Sequence, residues 1–280
     1  MSASARHVDL HSHSTASDGA LSPSAVVEAA HAAGLSALAL TDHDTMGGIA
    51  AAEAMGARLG VRIVPGSELS ALDEDREVHI LGLHVRPSEA FEARLAAFRA
   101  LRVVRSERIV AALRGLGIDV TQEQVLAHAG GGAVGRPHVA RALVAAGAVR
   151  DLREAFDRYL GAGRPAYVAK ELPSVADAIA LIHDAGGLAF FAHPGREGTR
   201  ERVERLVRLG LDGLELRHPS HSPDDMARMQ AFTDQYRLAR TGGSDWHGAA
   251  DGPRLLGAMQ VPAEWLEEQD RRVAERRRAG

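Results

Sequence analysis

The chain has 280 residues, 45% hydrophobic and 25% charged, a composition of ordinary soluble globular proteins that bury a substantial core, which excludes extensive disorder. It contains no cysteine, so disulfides and thiolate ligands are excluded and any metal must be held by imidazole and carboxylate, donors suited to Mn²⁺, Zn²⁺, Fe²⁺ or Mg²⁺. A net charge of −4 argues against a surface built for long duplex nucleic acid, and no apolar run approaches the roughly 20 residues of a membrane helix, so a cytoplasmic location is expected.

Short β-rich segments alternate with amphipathic helical ones. The spacing predicts strands over 6–13, 36–41, 61–65, 77–85, 188–193, 213–217 and 237–241. Ser22-Pro23 opens a helix as N-cap and first-turn proline, and Gly34 closes it; Ser174 opens another, which stops at Gly186-Gly187. This βα repeat predicts a parallel sheet, open or closed into a barrel, with its chemistry on loops at the C-terminal strand ends. Residues 87–173 break the rhythm. Thr121 with Gln124 makes a capping box, Gly130-Gly131-Gly132 is a flexible break, and 136–147 and 151–160 read as further short helices. The expected organisation is an α/β barrel from 1–86 and 174–280, with a helical insertion, 87–173, that caps the site and confers substrate choice. Over 262–280 a last helix is expected, and its Arg276-Arg277-Arg278 reads as a solvated end suited to the helix dipole.

Residue types that bind metal fall at the ends of these strands. His11 and His13 are two apart on a strand, so both imidazoles project from one face, about 7 Å apart at Cα, and can converge on one ion. Asp18 and His43 lie on the same rim, although Asp in Ser17-Asp18-Gly19 also suits a turn. Asp42 is expected to orient a ligand from behind, and Asp44 to serve its turn. Glu68 follows a tight strand exit where a carboxylate can bridge two ions or simply cap the next turn. His79 lies inside an apolar strand, where ligation would satisfy a ring otherwise costly to bury. His84 is offset onto the other face. His193-Pro194-Gly195 and Asp245-Trp246-His247 complete the set; as loop turns they would be unremarkable singly, but not in this common register.

The series His11-Ser12-His13, Ser17-Asp18-Gly19, Thr41-Asp42-His43-Asp44, Gly66-Ser67-Glu68, His79-Ile80-Leu81, Ala192-His193-Pro194 and Gly243-Ser244-Asp245-Trp246-His247 resembles the polymerase and histidinol phosphatase family of metal-dependent phosphoesterases. The resemblance spans residues 7 to 247. It implies a distorted seven-stranded (β/α) barrel carrying two or three divalent ions, Mn²⁺ foremost. It further implies one ion on His11, His13, Glu68 and Asp245, a second on Glu68, His79 and His193, and a third on Asp18, His43 and His247, with Glu68 as the bridge. Many relatives carry histidine where this chain has Asp18, which bears on the third position.

Within the family, Gly135-Arg136-Pro137-His138, Tyr159-Leu160-Gly161, the segment from Pro165 to Lys170 and His218-Pro219-Ser220-His221 resemble the branch of nucleoside 3′,5′-bisphosphate phosphatases and 5′-to-3′ exoribonucleases. That resemblance implies a small nucleotide or a short 5′-phosphorylated RNA as substrate. Arg136 opens a helix whose N–H groups also favour an anion. Lys170 is the one lysine beside 32 arginines, and Arg196 sits just past His193. Arg136, His138, Lys170, Arg196, His218 and His221 are the candidate substrate contacts. Glu68 and Asp245 at the ions, with His218 and His221 beside the leaving oxygen, are the candidate catalytic groups. Hydrolysis of histidinol phosphate is the enzymatic alternative, and a non-catalytic metal-binding accessory module the alternative of another class. The sequence leaves the oligomeric state open and is compatible with a monomer.

Overall fold

The computed structural model describes residues 7–74, 76–130 and 134–279; Arg6 of the first expected strand and Gly131-Gly132 of the expected break lie outside them. All seven expected strands form: β1 (His7–Asp9), β2 (Ala37–Leu40), β3 (Arg62–Asp73), β4 (Arg76–Leu83), β5 (Leu188–Phe191), β6 (Gly213–Arg217) and β7 (Ala239–Gly242). A two-residue eighth, β8 (Val261–Pro262), was not expected. The sheet order is β7-β6-β5-β4-β3-β2-β1-β8. Just beyond β1 and β7 the two edges meet: Leu10 N donates to Gly242 O at 3.0 Å, Asp245 N to His11 O and His13 N to Trp246 O, each at 2.9 Å. These bonds nearly close the sheet into a barrel.

The expectation of an all-parallel sheet is corrected. β3 pairs parallel to β2 as far as Pro65, then antiparallel to β4 from Gly66 onward, and β4 is antiparallel to β5. Asp73 and Arg76 are partners in register, and so short a link can join only antiparallel strands; a parallel return needs a crossover of a dozen or more residues. β3 also runs past Pro65, which places Glu68 inside a strand rather than after one.

The helices in chain order are α1 (Pro23–Ala32), α2 (Ile49–Leu59), α3 (Glu89–Gly115), α4 (Gln122–Ala129), α5 (Arg136–Ala145), α6 (Leu152–Ala155), α7 (Val175–Asp184), α8 (Arg200–Arg208), α9 (Pro223–Tyr236) and α10 (Ala263–Ala279), and a π-helical turn, Phe156–Leu160, continues α6. Their starts are where side-chain caps predict them. Ser22 accepts from Ala25 N, Ser174 from Asp177 N, and Thr121 and Gln124 cap one another, each worth about 1 kcal/mol. The end of α10 differs from the expected solvated tail. Arg276 donates to Asp212 at 2.5 Å and Arg277 to the carbonyl of His84 at 3.1 Å, so two of the three arginines tie the helix to the barrel.

The chain divides into two compact units, residues 1–92 with 173–280, and residues 93–172. Each has an apolar core of its own. Val8, Leu10, Val64, Leu81 and Phe190 fill the barrel, while Leu113, Val125, Val139, Leu143 and Leu160 centre the helical unit. Fully buried aliphatic and aromatic side chains of this kind contribute about 1.5–3 kcal/mol each. No described helix is long and apolar enough to cross a membrane.

Candidate metal centre

The bonds that close the barrel also aim the ligands. Because Asp245 N binds His11 O and His13 N binds Trp246 O, the segments from the two ends of the chain run side by side, and the His11 and His13 ring centroids lie 5.2 Å apart. Position 243 tolerates only glycine, since a Cβ there would fall 2.4 Å from His11 N. His193 and Asp245 both have positive φ, 32° and 51°. Left-handed backbone at non-glycine residues costs about 1–3 kcal/mol and persists where the surroundings over-determine it, as at functional sites.

Glu68 stands at the middle of the cluster. Its Oε2 is 3.3 Å from both His11 Nε2 and His13 Nε2 and 3.2 Å from His43 Nδ1. The other oxygen, Oε1, is 2.8 Å from His79 Nδ1 and 2.9 Å from His193 Nε2. Asp245 Oδ1 lies 3.5 Å from His11 Nε2 and 3.2 Å from His13 Nε2. On the outer side Asp18 meets His247 Nε2 at 3.3 Å, His43 Nε2 at 3.7 Å and His13 Nδ1 at 3.8 Å. All nine expected ligands therefore converge. Their donor atoms group as His11, His13, Glu68 and Asp245; His43, Glu68 and His79; and His13, Asp18, His43 and His247. Like Glu68, His13 and His43 belong to two groups each, where Glu68 alone was expected to be shared, and His193, expected with Glu68 and His79, is in none of the three although its Nε2 is 2.9 Å from Glu68 Oε1.

The donor set fits a divalent metal site. His11 Nε2, both nitrogens of His13 and His43 Nδ1 are buried and lack a hydrogen-bond partner. They lie beside carboxylate oxygens without hydrogen-bonding geometry, and such orphaned polar atoms would be costly in an otherwise finished fold. Burial opposes charge on these rings, yet the carboxylates of Glu215, Glu68 and Asp245 hold the His11 pKa well above the imidazole range. For His13 burial is likewise outweighed, by Asp245 and Glu68, giving about 10, and for His79 by Glu68, giving about 9. Burial pulls His43 down to about 3. Against its own burial, Glu68 is held well below the carboxylate range by the histidines around it. A pocket that retains protons this strongly is one where a cation replaces them.

Several supporting groups went unread in the sequence. Glu215, wholly buried on β6, lies 3.0 Å from His11 Nδ1 and accepts from His193 N at 2.6 Å. Asp9 accepts from the backbone of His11, Ser244 and Gly257. Arg254 pairs with Asp245 Oδ2 at the pocket mouth. A lone acid within an apolar strand, as in Gly213-Leu214-Glu215-Leu216, was the available signal for Glu215; the turn-rich stretch around Arg254 carries none. Asp42 was expected to orient a ligand, but its bonds go to a loop: it accepts from Ser14 N, Ser14 Oγ and Ser17 Oγ, each at 2.7 Å, in the turn that precedes Asp18. His84 lies outside the centre, paired with Gln269.

The other candidates fare unevenly. His218 Nδ1 accepts from Ser220 N at 3.1 Å, so its proton sits on Nε2, facing Asp245 Oδ2 at 3.4 Å. His221 has both nitrogens engaged, Nδ1 donating to Leu216 O at 2.9 Å and Nε2 accepting from Gly195 N at 3.1 Å. In the helical unit, Arg136 donates to Leu160 O and lies 5.7 Å from the ring centres of both Phe156 and Tyr167. His138 accepts from Gly135 N, capping α5, and Lys170 is half-buried. Arg196 is exposed in the short 3₁₀ turn Gly195–Glu197. A cavity of about 270 Å³ is lined by His43, Glu68, His79, His193, His218, Ser220, Asp245, His247 and Arg254.

A mixed α/β barrel that gathers six imidazoles and three carboxylates at one end, around such a cavity, defines the class of metal-dependent hydrolases. The PHP domain model matches residues 9–173. The chain is 40% identical over 258 residues to a 3′,5′-nucleoside bisphosphate phosphatase of Chromobacterium violaceum, covering 90% of both chains. To a 5′-3′ exoribonuclease of Haemophilus influenzae it is 39% identical over 245 residues, covering 85% of this chain and 89% of the other. A solved Bifidobacterium adolescentis structure, assigned as a metal-dependent phosphoesterase, superposes with a TM-score of 0.84 at 33% identity, covering 96% and 97% of the two chains. The chain belongs to the PHP domain family of phosphoesterases.

Proposed function

We propose that the protein hydrolyses the 3′-phosphate of nucleoside 3′,5′-bisphosphates, giving the 5′-monophosphate and phosphate, and removes nucleotides 5′-to-3′ from short 5′-phosphorylated RNA. The observation that carries a phosphoryl-transfer reading is the set of orphaned imidazole nitrogens around Glu68, opening on a cavity with room for a phosphate. The names of the two curated relatives support the nucleotide class of substrate.

In this reading His11, His13, Glu68 and Asp245 hold one divalent ion, Glu68, His79 and His193 a second beside His43, and Asp18, His43 and His247 a third beside His13, with Mn²⁺ as the proposed metal. Clustered divalent ions supply Lewis acidity, which neutralises phosphoryl charge and makes water nucleophilic at neutral pH. Asp245 is oriented by Arg254 and His218 through the oxygen it does not direct at His11 and His13. His218, with its proton on Nε2 and its ring lining the cavity, is proposed to hydrogen-bond the leaving oxygen; burial pushes its pKa down, so it serves as a neutral hydrogen-bond donor and not as a proton donor. His221 is proposed to hold the Gly195 turn, and so His193, rather than to touch substrate. Arg136, His138 and Lys170 are the proposed anion-binding groups of the helical unit, 93–172, and Arg196 that of the barrel rim.

The test is a side-by-side assay, in Mn²⁺, of adenosine 3′,5′-bisphosphate, histidinol phosphate and a 5′-phosphorylated RNA trimer. Turnover of the bisphosphate and the RNA is expected. Preference for histidinol phosphate would overturn the substrate assignment, and absence of phosphate or nucleotide release from all three would overturn the catalytic reading.

A further inference from the structure

We infer that Glu215 is a positioning residue for the metal centre, which fixes His11 in the tautomer that presents Nε2 to the metal and seats His193 through its backbone. The inference rests on reading the histidine-carboxylate cluster as a metal site.

Glu215 is 0% exposed on β6, between β5 and β7. A buried carboxylate is costly unless both oxygens are occupied, and here they are. His193 N, which can only donate, gives its proton to Oε2 at 2.6 Å. That bond holds the residue whose φ is 32° and whose ring approaches Glu68. Oε1 lies 3.0 Å from His11 Nδ1, so the neutral ring carries its proton there. Nε2 then faces Glu68 Oε2 at 3.3 Å and Asp245 Oδ1 at 3.5 Å, a position for which a proton in the metal-free protein and a metal ion in the loaded one compete. One carboxylate thus sets a ring in the first donor group and the backbone of a residue beside the second. Carboxylate–histidine–metal relays of this form raise ligand basicity, and losing the outer partner weakens metal binding by about 10–100-fold.

Glu215→Gln separates this role from packing. The single amide oxygen must remain on His193 N, so the amide NH₂ meets His11 Nδ1; the ring then carries its proton on Nε2, which blocks the ligand atom. Titration of the metal-free protein with Mn²⁺ is expected to show affinity about 10–100-fold below wild type, while the far-UV circular dichroism of the metal-free protein stays unchanged. A packing role predicts that glutamine restores full affinity, and that result would overturn the inference. Wild-type protein that binds neither Mn²⁺ nor Zn²⁺ would instead remove the centre itself. In a His11→Ala background, Glu215→Gln should weaken binding no further; a second loss of equal size would overturn action through His11. Should the glutamine variant not fold, long-range ¹H–¹⁵N spectra of the Zn²⁺-loaded wild type decide the point: a proton on His11 Nδ1 is expected, and one on Nε2 overturns it.

Discussion

The barrel end and the helical unit treat their buried histidines in opposite ways. At the barrel end, His11 Nε2, both nitrogens of His13 and His43 Nδ1 have no hydrogen-bond partner, although the protein surrounds them completely. In the helical unit, Arg136 lies 5.7 Å from the ring centres of Phe156 and Tyr167 and is bonded to Leu160 O, and His138 caps its own helix. Single orphans occur elsewhere, such as Gln122 Oε1 in the helical unit, but four imidazole nitrogens clustered around carboxylates read as a place for a ligand. The pattern at Arg136 and His138 is what a structural role also produces.

Five experiments would break or sharpen this contrast. The largest effect is expected from Glu68→Ala, which removes the one carboxylate shared between donor groups. Bound metal measured after dialysis should fall, and kcat should drop by roughly 10³-fold or more, the loss of several kcal/mol of charge stabilisation. His218→Ala should lower kcat by roughly 10²–10³-fold, the loss of one positioned hydrogen-bond donor, while leaving metal content unchanged, which pairs an assay with elemental analysis. Loss of metal in that variant would move His218 into the ligand set.

The third experiment follows protons. His11, His13 and His79 have raised pKa values, about 10 and 9 for the latter two, so at pH 7.5 the metal-free rings are charged. Adding Mn²⁺ in weak buffer should release up to three protons per chain, fewer as pH rises through 9 and 10. The same shifts set a sign for stability. Charged rings stabilise the metal-free fold fully below the unfolded histidine value of about 6.5, and that contribution is lost as pH climbs through the folded values, so Tm of the metal-free protein should fall over this window.

Smaller effects separate support from contact. His221→Ala leaves Gly195 N and Leu216 O unpaired and should cost about 1–3 kcal/mol of stability by thermal melting, with a modest change in kcat. Arg136→Ala should cost about 1 kcal/mol through its aromatic and carbonyl contacts. A rise in KM for the bisphosphate beyond that would restore Arg136 as a substrate contact, and an unchanged KM would leave it a structural one.

Much of the centre was legible because strand ends are punctuated by residues that neither a core nor an ordinary turn explains. Two histidines two apart, or Asp245-Trp246-His247 after an apolar run, stand out from single-residue chance. The partner switch of β3 at Pro65-Gly66 was harder to read. Proline looks like a strand end, and only the shortness of the link between Asp73 and Arg76 signals an antiparallel return. Glu215 was passed over because nothing local distinguishes it from a strand-edge charge; its meaning appears once β6 lies against His11 and His193. The arginines ending α10 read as solvated for a related reason, since helix periodicity does not disclose that Asp212 and the His84 carbonyl wait beside them.

Local rules by themselves determined the seven main strands, the capped helix starts, the absence of thiolate chemistry and the candidate ligands, because period, cap chemistry and composition act within a few residues. Tertiary structure decided how those ligands share one carboxylate, that His13 and His43 stand between donor groups, and which histidines are already satisfied. Those outcomes depend on backbone pairings between residues more than 200 positions apart, such as Asp245 N with His11 O, and no short-range pattern encodes them.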